Sequence, residues 1–417
     1  MQQKSQFSVL AAGLVLTLGG LTPAPGAQPE TQVIRMTLEK RPLKGEDRLG
    51  YGTCQWLFPT NAPREKLQSV PRFKSSRPRW YAARFGEAHD NLFSVVIDES
   101  GGTGSGYDAV YADSNNDNRI DPQKERHSFP LSTVSEDRPI YLEFQIVAAG
   151  KTNAHFFHFT AFPYSDSQQP KDTHANLRNG SVWVGRAVLN GSECRVALAD
   201  LDSNGLFNDP EQAVFKGDRF FADLPAKAGS DQDEQFSSFP YGEFTCIAGA
   251  WYSISATADG GEVTIKTASP HFGSVKAPLG ITRATFRSPR QTLYLNFTNR
   301  VDQAIVGTYK LASLSLREER GGEKALELRA DYPERPPEIR IREGETIVLT
   351  AGPPLRIEVQ PRAEPSGDKV ALSLVLVGTG GETYRWTRQA NRSAAKPGFE
   401  LRDAVGKLVD SGTFDYG

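Results

Sequence analysis

The sequence has few cysteines and no large excess of either charge, and both shortages exclude classes of protein. The chain of 417 residues has three cysteines, which permit one disulfide and exclude a disulfide-dense fold. Its formal net charge is −2, which argues against nucleic-acid binding because such domains are usually basic. Stretches of helical periodicity are also scarce. The 27 prolines and 38 glycines instead indicate strands and turns.

Long apolar runs are absent apart from one at the N-terminus. The run Phe7–Leu21 follows the positive charge of Lys4 and precedes the small residues Ala24, Gly26 and Ala27. This run is short and glycine-rich for a membrane span, and its flanking residues are typical of a secretory signal peptide. We therefore expect residues 1–27 to be a signal peptide and the remaining chain to lack a transmembrane span. The protein is then exported: periplasmic, cell-surface or secreted.

The sequence also lacks the short motifs of common enzyme classes. It has no His-Glu-x-x-His zinc motif, no Gly-x-Ser-x-Gly elbow and no phosphate-binding or dinucleotide-binding fingerprint. His155 and His158 stand three apart on a predicted strand, so they face opposite sides and are expected to be ordinary sheet residues. Fifty acidic residues allow many carboxylate pairs for glycoside hydrolysis, but none stands out. We predict no catalytic residue.

Strand patterns dominate the sequence that remains. Alternating or β-branched runs occupy Leu92–Ile97, Ile140–Val147 and Val182–Leu189, and turn pairs such as Asn190-Gly191 separate them. The length allows about two to four domains at roughly 100–200 residues each. The sequence therefore predicts a mainly β, multidomain protein built from antiparallel β-sandwich or barrel modules.

Two acidic segments are similar to each other and make the most specific chemical prediction. Each places Asp or Asn at positions 1, 3, 5 and 9 of a loop. In loop 1 these residues are Asp113, Asn115, Asp117 and Asp121, and in loop 2 they are Asp200, Asp202, Asn204 and Asn208. Oxygen ligands at this spacing converge on one hard cation, together with the carbonyl of position 7, which is Arg119 or Leu206. We therefore predict Ca²⁺ as a structural cofactor.

The spacing resembles the EF-hand calcium loop, and more closely the version found in dockerin-type and other exported bacterial proteins. The resemblance is confined to the two loops. In loop 2, Gly205 matches the glycine of position 6 and Glu211 matches the bidentate carboxylate of position 12. In loop 1, Asn118 replaces the glycine. Lys124 stands at position 12 of that loop, where it cannot ligate, and Glu125 follows one residue later.

The residues that flank the loops depart from the EF-hand pattern. An EF-hand has a helix on each side of its loop, whereas a predicted strand enters both acidic loops here. The loops are therefore predicted to be strand-loop sites rather than helix-opening sensors. The alternative is an Asx-rich surface turn that binds nothing, because such side chains also satisfy local backbone groups. The better match of loop 2 makes it the favoured site.

The acidic loops belong to a longer internal repeat. Each copy contains a hairpin, an acidic loop, a Ser-Phe-Pro sequence (Ser128–Pro130 or Ser238–Pro240) and a further hairpin. We predict a signal peptide at 1–27, an N-terminal extension at 28–87, β modules with loop 1 at 88–165 and loop 2 at 177–270, a β domain at 271–352, and an immunoglobulin-like β domain at 353–417.

Cysteine and tryptophan positions give two further expectations. Cys194 and Cys246 flank loop 2 within one module and are predicted to form a disulfide. Tryptophans can stack on sugar rings, but core packing is the expected role because large aromatics dominate sandwich interiors. The five tryptophans are Trp56, Trp80, Trp183, Trp251 and Trp386.

Together these patterns predict an exported, calcium-stabilised β protein with a binding or scaffold role at the cell surface or envelope. Its partner would be an extracellular or envelope ligand, a protein or a polysaccharide, and not a nucleic acid. The alternative is a secreted hydrolase that acts on envelope or extracellular polymers and carries the β modules as accessories. A flat or grooved β surface with exposed tryptophans would favour binding, and a deep cleft with converging polar groups would favour the enzyme.

Overall fold

The computed structural model of the protein describes residues 31–40, 54–103, 106–128, 139–162, 174–209, 217–224, 237–240, 242–318, 326–331, 336–363, 370–386 and 398–413. Within these ranges the regular structure consists of strands, without a helix, and almost all strand pairs are antiparallel. The predicted mainly β, multidomain fold is therefore confirmed. The predicted signal peptide lies outside the described residues.

The strands are numbered in chain order. Those of the first two-thirds of the chain are β1 (Thr31–Arg35), β2 (Thr37–Lys40), β3 (Gln55–Leu57), β4 (Arg79–Arg84), β5 (Leu92–Asp98), β6 (Ala109–Ala112), β7 (Arg126–Ser128), β8 (Ile140–Ala148), β9 (Lys151–Phe162), β10 (His174–Asn179), β11 (Ser181–Leu189), β12 (Ser192–Asp200), β13 (Asp218–Ala222), β14 (Ser237–Pro240), β15 (Thr245–Ile247), β16 (Ala250–Ala256) and β17 (Glu262–Thr267). Those of the last third are β18 (Phe272–Lys276), β19 (Ile281–Ser288), β20 (Gln291–Asn296), β21 (Val301–Ile305), β22 (Gly307–Glu318), β23 (Leu326–Asp331), β24 (Glu338–Ile341), β25 (Thr346–Val348), β26 (Arg356–Ala363), β27 (Val370–Val377), β28 (Thr383–Trp386), β29 (Gly398–Arg402) and β30 (Leu408–Thr413).

The first module is a sandwich of two four-stranded sheets. One sheet has the order β4-β5-β6-β7 and the other the order β3-β10-β9-β8. Alternating apolar residues of both sheets share one core, in which Phe85, Phe93, Phe144 and Phe157 contact one another ring to ring. Loop 1 connects β6 to β7 at one end of this sandwich.

The second module is a sandwich of the same kind, but its chain is discontinuous. Its sheets have the orders β14-β13-β12-β11-β2 and β1-β17-β16-β15. Strands β1 and β2 come from residues 31–40, whereas the other strands begin at Ser181. Ser181 pairs directly with Lys40, so the chain leaves the second module and returns to it at neighbouring positions. The whole first module is therefore inserted between β2 and β11.

The two modules have the same strand order, which extends the sequence repeat. The sheet β3-β10-β9-β8 corresponds to β1-β17-β16-β15, and β4-β5-β6-β7 corresponds to β2-β11-β12-β13. An Ala-Gly pair makes the turn at the equivalent hairpin of each module, Ala149-Gly150 and Ala248-Gly249. All four of these residues have positive φ, as two-residue hairpin turns require. Strand pairing therefore crosses several predicted domain boundaries. Residues 31–40 and 55–84 lie in the predicted N-terminal extension, but their strands belong to the sheets of the second and the first module, respectively.

The third unit follows β17 and has its own core. Its sheets are β21-β18-β25 and an eight-stranded sheet in which β20-β19-β22-β23-β28-β27-β26 are neighbours and β24 pairs with β22. An immunoglobulin-like domain at 353–417 is not confirmed, because β23 pairs with β28 and Tyr384 enters the core of the preceding strands. The buried carboxylate of Glu382 also accepts a hydrogen bond from the Gly352 N–H, which lies on the other side of this predicted boundary, and one from the nearby Tyr384 hydroxyl.

Two smaller predictions need correction. Cys194 and Cys246 are free thiols, and Cys194 lies in the core between the sheets. Ile247, the residue after Cys246, is fully buried, and successive side chains of a strand point to opposite faces. Cys246 therefore points away from the core that contains Cys194, and the predicted disulfide is not formed. Trp80 and Trp183 are buried as predicted, but Trp56 is 56% exposed because β3 is an edge strand and presents this residue away from the core.

Candidate metal-binding loops

The two acidic loops share one backbone conformation. Strands β6 and β12 lead into them, and positions 4 and 6 of each loop adopt left-handed φ values. These are 56° at Asn116 and 63° at Asn118 in loop 1, and 61° at Ser203 and 77° at Gly205 in loop 2. Asparagine and glycine tolerate this region better than most residues, which explains their presence at position 6. The sequence repeat is therefore also a conformational repeat.

In loop 1 the first and fifth residues organise the backbone. The Asp113 carboxylate accepts hydrogen bonds from the N–H groups of Asp117 (3.1 Å) and Asn118 (3.0 Å). The Asp117 carboxylate in turn accepts one from the N–H of Arg119 at 2.9 Å. Asp113 is buried, whereas Asn115, Asp117 and Arg119 are exposed. Loop 1 is therefore an ordered turn with one buried carboxylate and an open outer side.

Glu125 closes loop 1 from within its own module. Its carboxylate accepts hydrogen bonds from the Ser114 N–H (2.9 Å) and hydroxyl (2.7 Å) and from the Asp121 N–H (2.8 Å). Lys124, at the position of the missing bidentate ligand, points to solvent with 84% of its side chain exposed, 3.6 Å from Asp121. Glu125 therefore reaches the loop, although it stands one residue beyond the expected position.

The environment of Asp113 opposes its ionisation. Burial raises the pKa of this carboxyl group to about 7, with further contributions from the negative charges of Glu125 and Asp117. The N–H groups of Asp117 and Asn118 act in the opposite direction but do not offset the burial. A carboxylate in this position is stabilised either by a proton or by a cation.

In loop 2 the same hydrogen-bond pattern is more deeply buried. One Asp200 carboxylate oxygen accepts from the Ser203 N–H (2.6 Å), and the other accepts from the Gly205 N–H (2.8 Å) and the Asn179 side-chain amide (2.8 Å). The Asn204 side-chain oxygen accepts from the Leu206 N–H at 2.7 Å. Asp200 is 4% exposed and Ser203 fully buried, so the loop is covered by other parts of the protein.

A buried group of carboxylates surrounds Asp200, and one of its members, Asp218, was not predicted from the sequence. Asp218, the first residue of β13, pairs with Asp200 across the sheet, and one of its oxygens accepts from the Asp209 N–H at 2.6 Å. Burial first, and then the neighbouring carboxylates, raise the pKa of Asp200 and Asp218 well above the ordinary value, and burial also raises that of Asp202. One buried side-chain oxygen of Asp218 and one of Asp202 have no hydrogen-bond partner among the described residues.

The predicted ligands of loop 2 are only partly brought together. Asp202 and Asn204 lie half-buried beside Asp200, whereas Asn208 is exposed. Glu211, the predicted bidentate ligand, lies outside the described residues. Within the described ranges, no three carboxylate, imidazole or thiol groups meet in a ready-made metal cluster. Coordination would therefore require loop oxygens to turn from backbone N–H groups towards a cation.

Loop 2 is held by the first module as well as by its own. The Gln55 side-chain amide donates to the Ser203 carbonyl at 2.6 Å, and the Gly86 N–H donates to the Asn204 carbonyl at 2.9 Å. The Ser203 hydroxyl also accepts a hydrogen bond from the Asn179 N–H at 2.9 Å. Loop 2 therefore links β3, β10 and the segment after β4 of the first module to the second module.

Packing reinforces this connection. A Cβ at Gly205 would lie 2.8 Å from the Ile146 side chain, so the loop backbone fits closely against the first module. Phe207 is fully buried, and its ring stacks at 5.5 Å on His155 of β9. Burial lowers the pKa of His155 to about 4. Loop 2 thus occupies an interface between modules, whereas loop 1 packs within one module.

Comparison with known proteins adds no assignment. No protein-family model, curated protein or solved structure matches this chain. Across the described ranges, no helix has the length and apolar character needed to span a membrane. Function is therefore inferred from the residues of the two loops and of the surfaces around them.

Proposed function

We propose that this protein is an exported, calcium-stabilised β protein with a binding or scaffold role at the cell surface or envelope. The observation that carries the proposal is the buried carboxylate group of loop 2. Asp200 and Asp218 are at most 4% exposed, and Asp202 and Asp218 each hold an oxygen without a partner among the described residues. The groups that act to lower the pKa of Asp200 are hydrogen-bond donors, namely Asn179 and a backbone N–H.

Calcium suits this group of ligands better than other common cations. Buried carboxylates that lack a positive partner are unfavourable, so they take up a proton or a metal ion. Calcium accepts six to eight oxygen ligands in flexible geometry, including carboxylates, amide oxygens and backbone carbonyls, all of which loop 2 contains. Extracellular modules bind it with dissociation constants of roughly 10⁻⁴–10⁻³ M, which suffices where calcium is abundant. Export and calcium binding therefore form one coherent proposal.

The role of the cation is structural in this proposal. Strands β12 and β13 border loop 2, and among the described residues around it there is no helix pair that could open on binding. The loop is also held by hydrogen bonds from Gln55, Gly86 and Asn179 of the first module. Neutralising its charge would strengthen the connection between the modules. Loop 1 is a second and weaker site, because Lys124 occupies its bidentate position and Glu125 is engaged by the backbone.

The test is the thermal stability of the mature protein in EDTA, in millimolar Ca²⁺ and in millimolar Mg²⁺. We expect Ca²⁺ to raise Tm, because a ligand that binds only the folded state adds about 2.7 kcal/mol at a hundredfold excess over Kd. Magnesium is expected to do less, since it demands near-octahedral geometry and retains water. Equal curves in all three solutions would reject calcium stabilisation. The hydrolase alternative has no specific support among the described residues.

A further inference from the structure

Strand β26 forms an edge of the third unit and carries two exposed apolar side chains. It is the last strand of the eight-stranded sheet, and among the described strands only β27 pairs with it. Ile357 is 65% exposed and Val359 is 53% exposed. An edge strand with a free side and large apolar side chains can pair with a strand of another chain. Neither acidic loop lies in this unit, so the feature is independent of the calcium sites.

These two side chains belong to a longer apolar surface on β26 and β27. Ile357 lies directly opposite Leu376, and Val359 lies opposite Leu374. Directly opposed residues of an antiparallel pair point to the same face of the sheet. Leu376 packs against the core of the third unit, and Leu374 is half-buried. The four residues, which we call the apolar strip, therefore extend the core side of the sheet to an edge where side chains are exposed.

The position of Pro361 indicates which backbone groups of β26 face away from β27. The strand is regular there, with Pro361 opposite Leu372. Proline has no N–H group and is tolerated within an edge strand where that position faces outward. Backbone groups alternate in direction along a strand, so Val359 and Ile357, two and four residues before Pro361, also direct theirs outward. The free edge therefore offers backbone hydrogen-bonding groups at the two residues whose side chains are exposed.

The sequence of β26 is complementary to itself in one antiparallel register. When Ile357 of one copy lies opposite Ile357 of another, Arg356 lies opposite Glu358 and Leu355 lies opposite Val359. Opposed charges are then unlike, and residues with outward backbone groups face one another. A shift of two residues either way sets Glu358 opposite Glu358 or Arg356 opposite Arg356, and a shift of four brings a proline opposite Ile357. A one-residue shift reverses the faces.

We propose that β26 is a dimer interface, in which a second copy of this chain pairs with it antiparallel about a two-fold axis at Ile357. The pairing joins the two eight-stranded sheets edge to edge and brings the apolar strips of both copies together. A two-fold contact uses the same patch on both subunits, so it requires the self-complementarity that this strand has. Arg356 already lies 2.7 Å from Glu358 of its own strand, on the face away from the apolar strip, and there it also meets Glu358 of the other copy.

The experiment measures the mass of the mature protein in solution by sedimentation over a wide range of concentration, with saturating Ca²⁺ present throughout. Wild type is expected to show a reversible equilibrium between monomer and dimer. Ile357→Lys places two lysines at the two-fold axis and should weaken dimerisation at least tenfold, because opposed like charges are unfavourable. The matched control is Val33→Lys, since Val33 is 59% exposed on the edge strand β1 of the second module. This control should dimerise like wild type.

Two charge variants test the register itself. Arg356→Glu and Glu358→Arg each set like charges opposite one another in a homodimer, so each should remain monomeric where wild type dimerises. An equal mixture of the two variants should form heterodimers, because every opposed pair is then unlike. Within each chain, residues 356 and 358 still carry like charges in the mixture. Recovery on mixing therefore arises only from contacts between copies.

A melting curve at a concentration where wild type is monomeric separates lost dimerisation from lost folding. The substituted side chains lie on an edge strand, so the Tm of each variant should stay close to that of wild type. A wild type that is monomeric at every concentration would overturn the proposal, as would undiminished dimerisation of the Ile357 variant. A mixture that stays monomeric would reject the register. Protection of residues 355–359 from hydrogen exchange in a monomeric wild type would mean that the same chain covers the strand.

Discussion

Loop 1 and loop 2 have the same backbone conformation but different surroundings. In loop 1, three residues of the outer side are exposed, and the loop is held by hydrogen bonds to Glu125 of the same module. In loop 2, Asp200 is buried and Asp218 supplies a second buried carboxylate. This loop is held by hydrogen bonds from the first module. The protein around each loop, more than the loop's own sequence, therefore determines how unfavourable the negative charge of that loop is. Loop 2 should therefore depend more strongly on a cation than loop 1.

The largest expected effect concerns the calcium response. Asp200→Ala combined with Asp202→Ala should abolish most of the calcium-dependent gain in stability, which is about 2.7 kcal/mol at a hundredfold excess over Kd. Asp113→Ala combined with Asp117→Ala should leave most of that gain, because loop 1 is the weaker site. The measurement is the difference in Tm between Ca²⁺ and EDTA for each protein. Using this difference separates calcium binding from any direct loss of hydrogen bonds made by Asp200.

A milder variant tests the same prediction if the loop 2 double variant does not fold. Asp202→Asn preserves the shape of a half-buried side chain and should still reduce the calcium-dependent difference. Equal calcium responses of wild type and both loop 2 variants would show that loop 2 does not bind calcium. A greater loss in the loop 1 double variant would reverse the comparison between the loops.

The next prediction concerns how closely the backbone of each loop packs against the protein around it. Gly205→Ala should destabilise the protein by about 2 kcal/mol, because a left-handed non-glycine residue costs roughly 1–2 kcal/mol and crowding by the added methyl group adds to this cost. The added Cβ would also lie 2.8 Å from Ile146 of the first module. Asn118→Gly at the same position of loop 1 should change stability little, since it relieves a left-handed asparagine but loses a hydrogen bond to Asp90. Urea unfolding in EDTA measures both changes, and equal losses would show that the loops are equally constrained.

A third test exploits the different carboxylates that close the two loops. In EDTA at pH 8, Asp218→Asn should raise stability by about 1 kcal/mol, because it removes a buried carboxyl group whose ionisation is opposed by burial and whose oxygen lacks a partner among the described residues. Glu125→Gln should instead lower stability by about 1 kcal/mol, because an amide cannot accept all the hydrogen bonds that this carboxylate receives. Chemical denaturation gives both signs. A loss in the Asp218 variant would mean that this carboxylate is stabilising without metal.

The smallest effect is a pH dependence of loop 1. The folded-state pKa of Asp113 is raised to about 7, above its unfolded value, so the stability associated with its proton is present at low pH and lost as pH rises through about 7. In EDTA, the protein should therefore lose somewhat under 1 kcal/mol between pH 6.5 and 8.5 from this group. Asp113→Asn should remove that part of the slope. His155 acts in the opposite direction, because its folded-state pKa of about 4 lies below its unfolded value, and it should add about 0.4 kcal/mol over the same window as the unfolded form loses its proton. The difference between wild type and the Asp113 variant isolates the part due to Asp113.

Calcium should reverse this pH trend. Protons and the cation compete for the same carboxylates, so the calcium-dependent rise in Tm should be larger at pH 8.5 than at pH 6.5. Most of this increase should come from loop 2, where the pKa of Asp200 and of Asp218 is raised well above the ordinary value. A rise that shrinks with increasing pH would contradict carboxylate ligation at either loop.

The sequence predicted some features of the candidate site and missed others. The spacing of Asp200, Asp202 and Asn204 predicted the loop, and Gly205 predicted its sharp turn with φ of 77°. Asp218 was missed because it joins the group only through its pairing with Asp200, which depends on how β13 lies beside β12. Asn179 was missed for a similar reason, since it comes from the other module. Neither contact has a local sequence pattern.

The sequence by itself determined the β class, the hairpin turns and the acidic loops, because alternation, glycine positions and Asx spacing act between residues that are close along the chain. Only the tertiary structure decided that the first module is inserted between β2 and β11, that β26, β27 and β28 join the third unit, and that Trp56 faces solvent. It also decided that loop 2 is buried between modules while loop 1 stays open. These outcomes depend on strand pairing and burial between distant residues, and a carboxylate's pKa responds to those surroundings rather than to its neighbours in sequence.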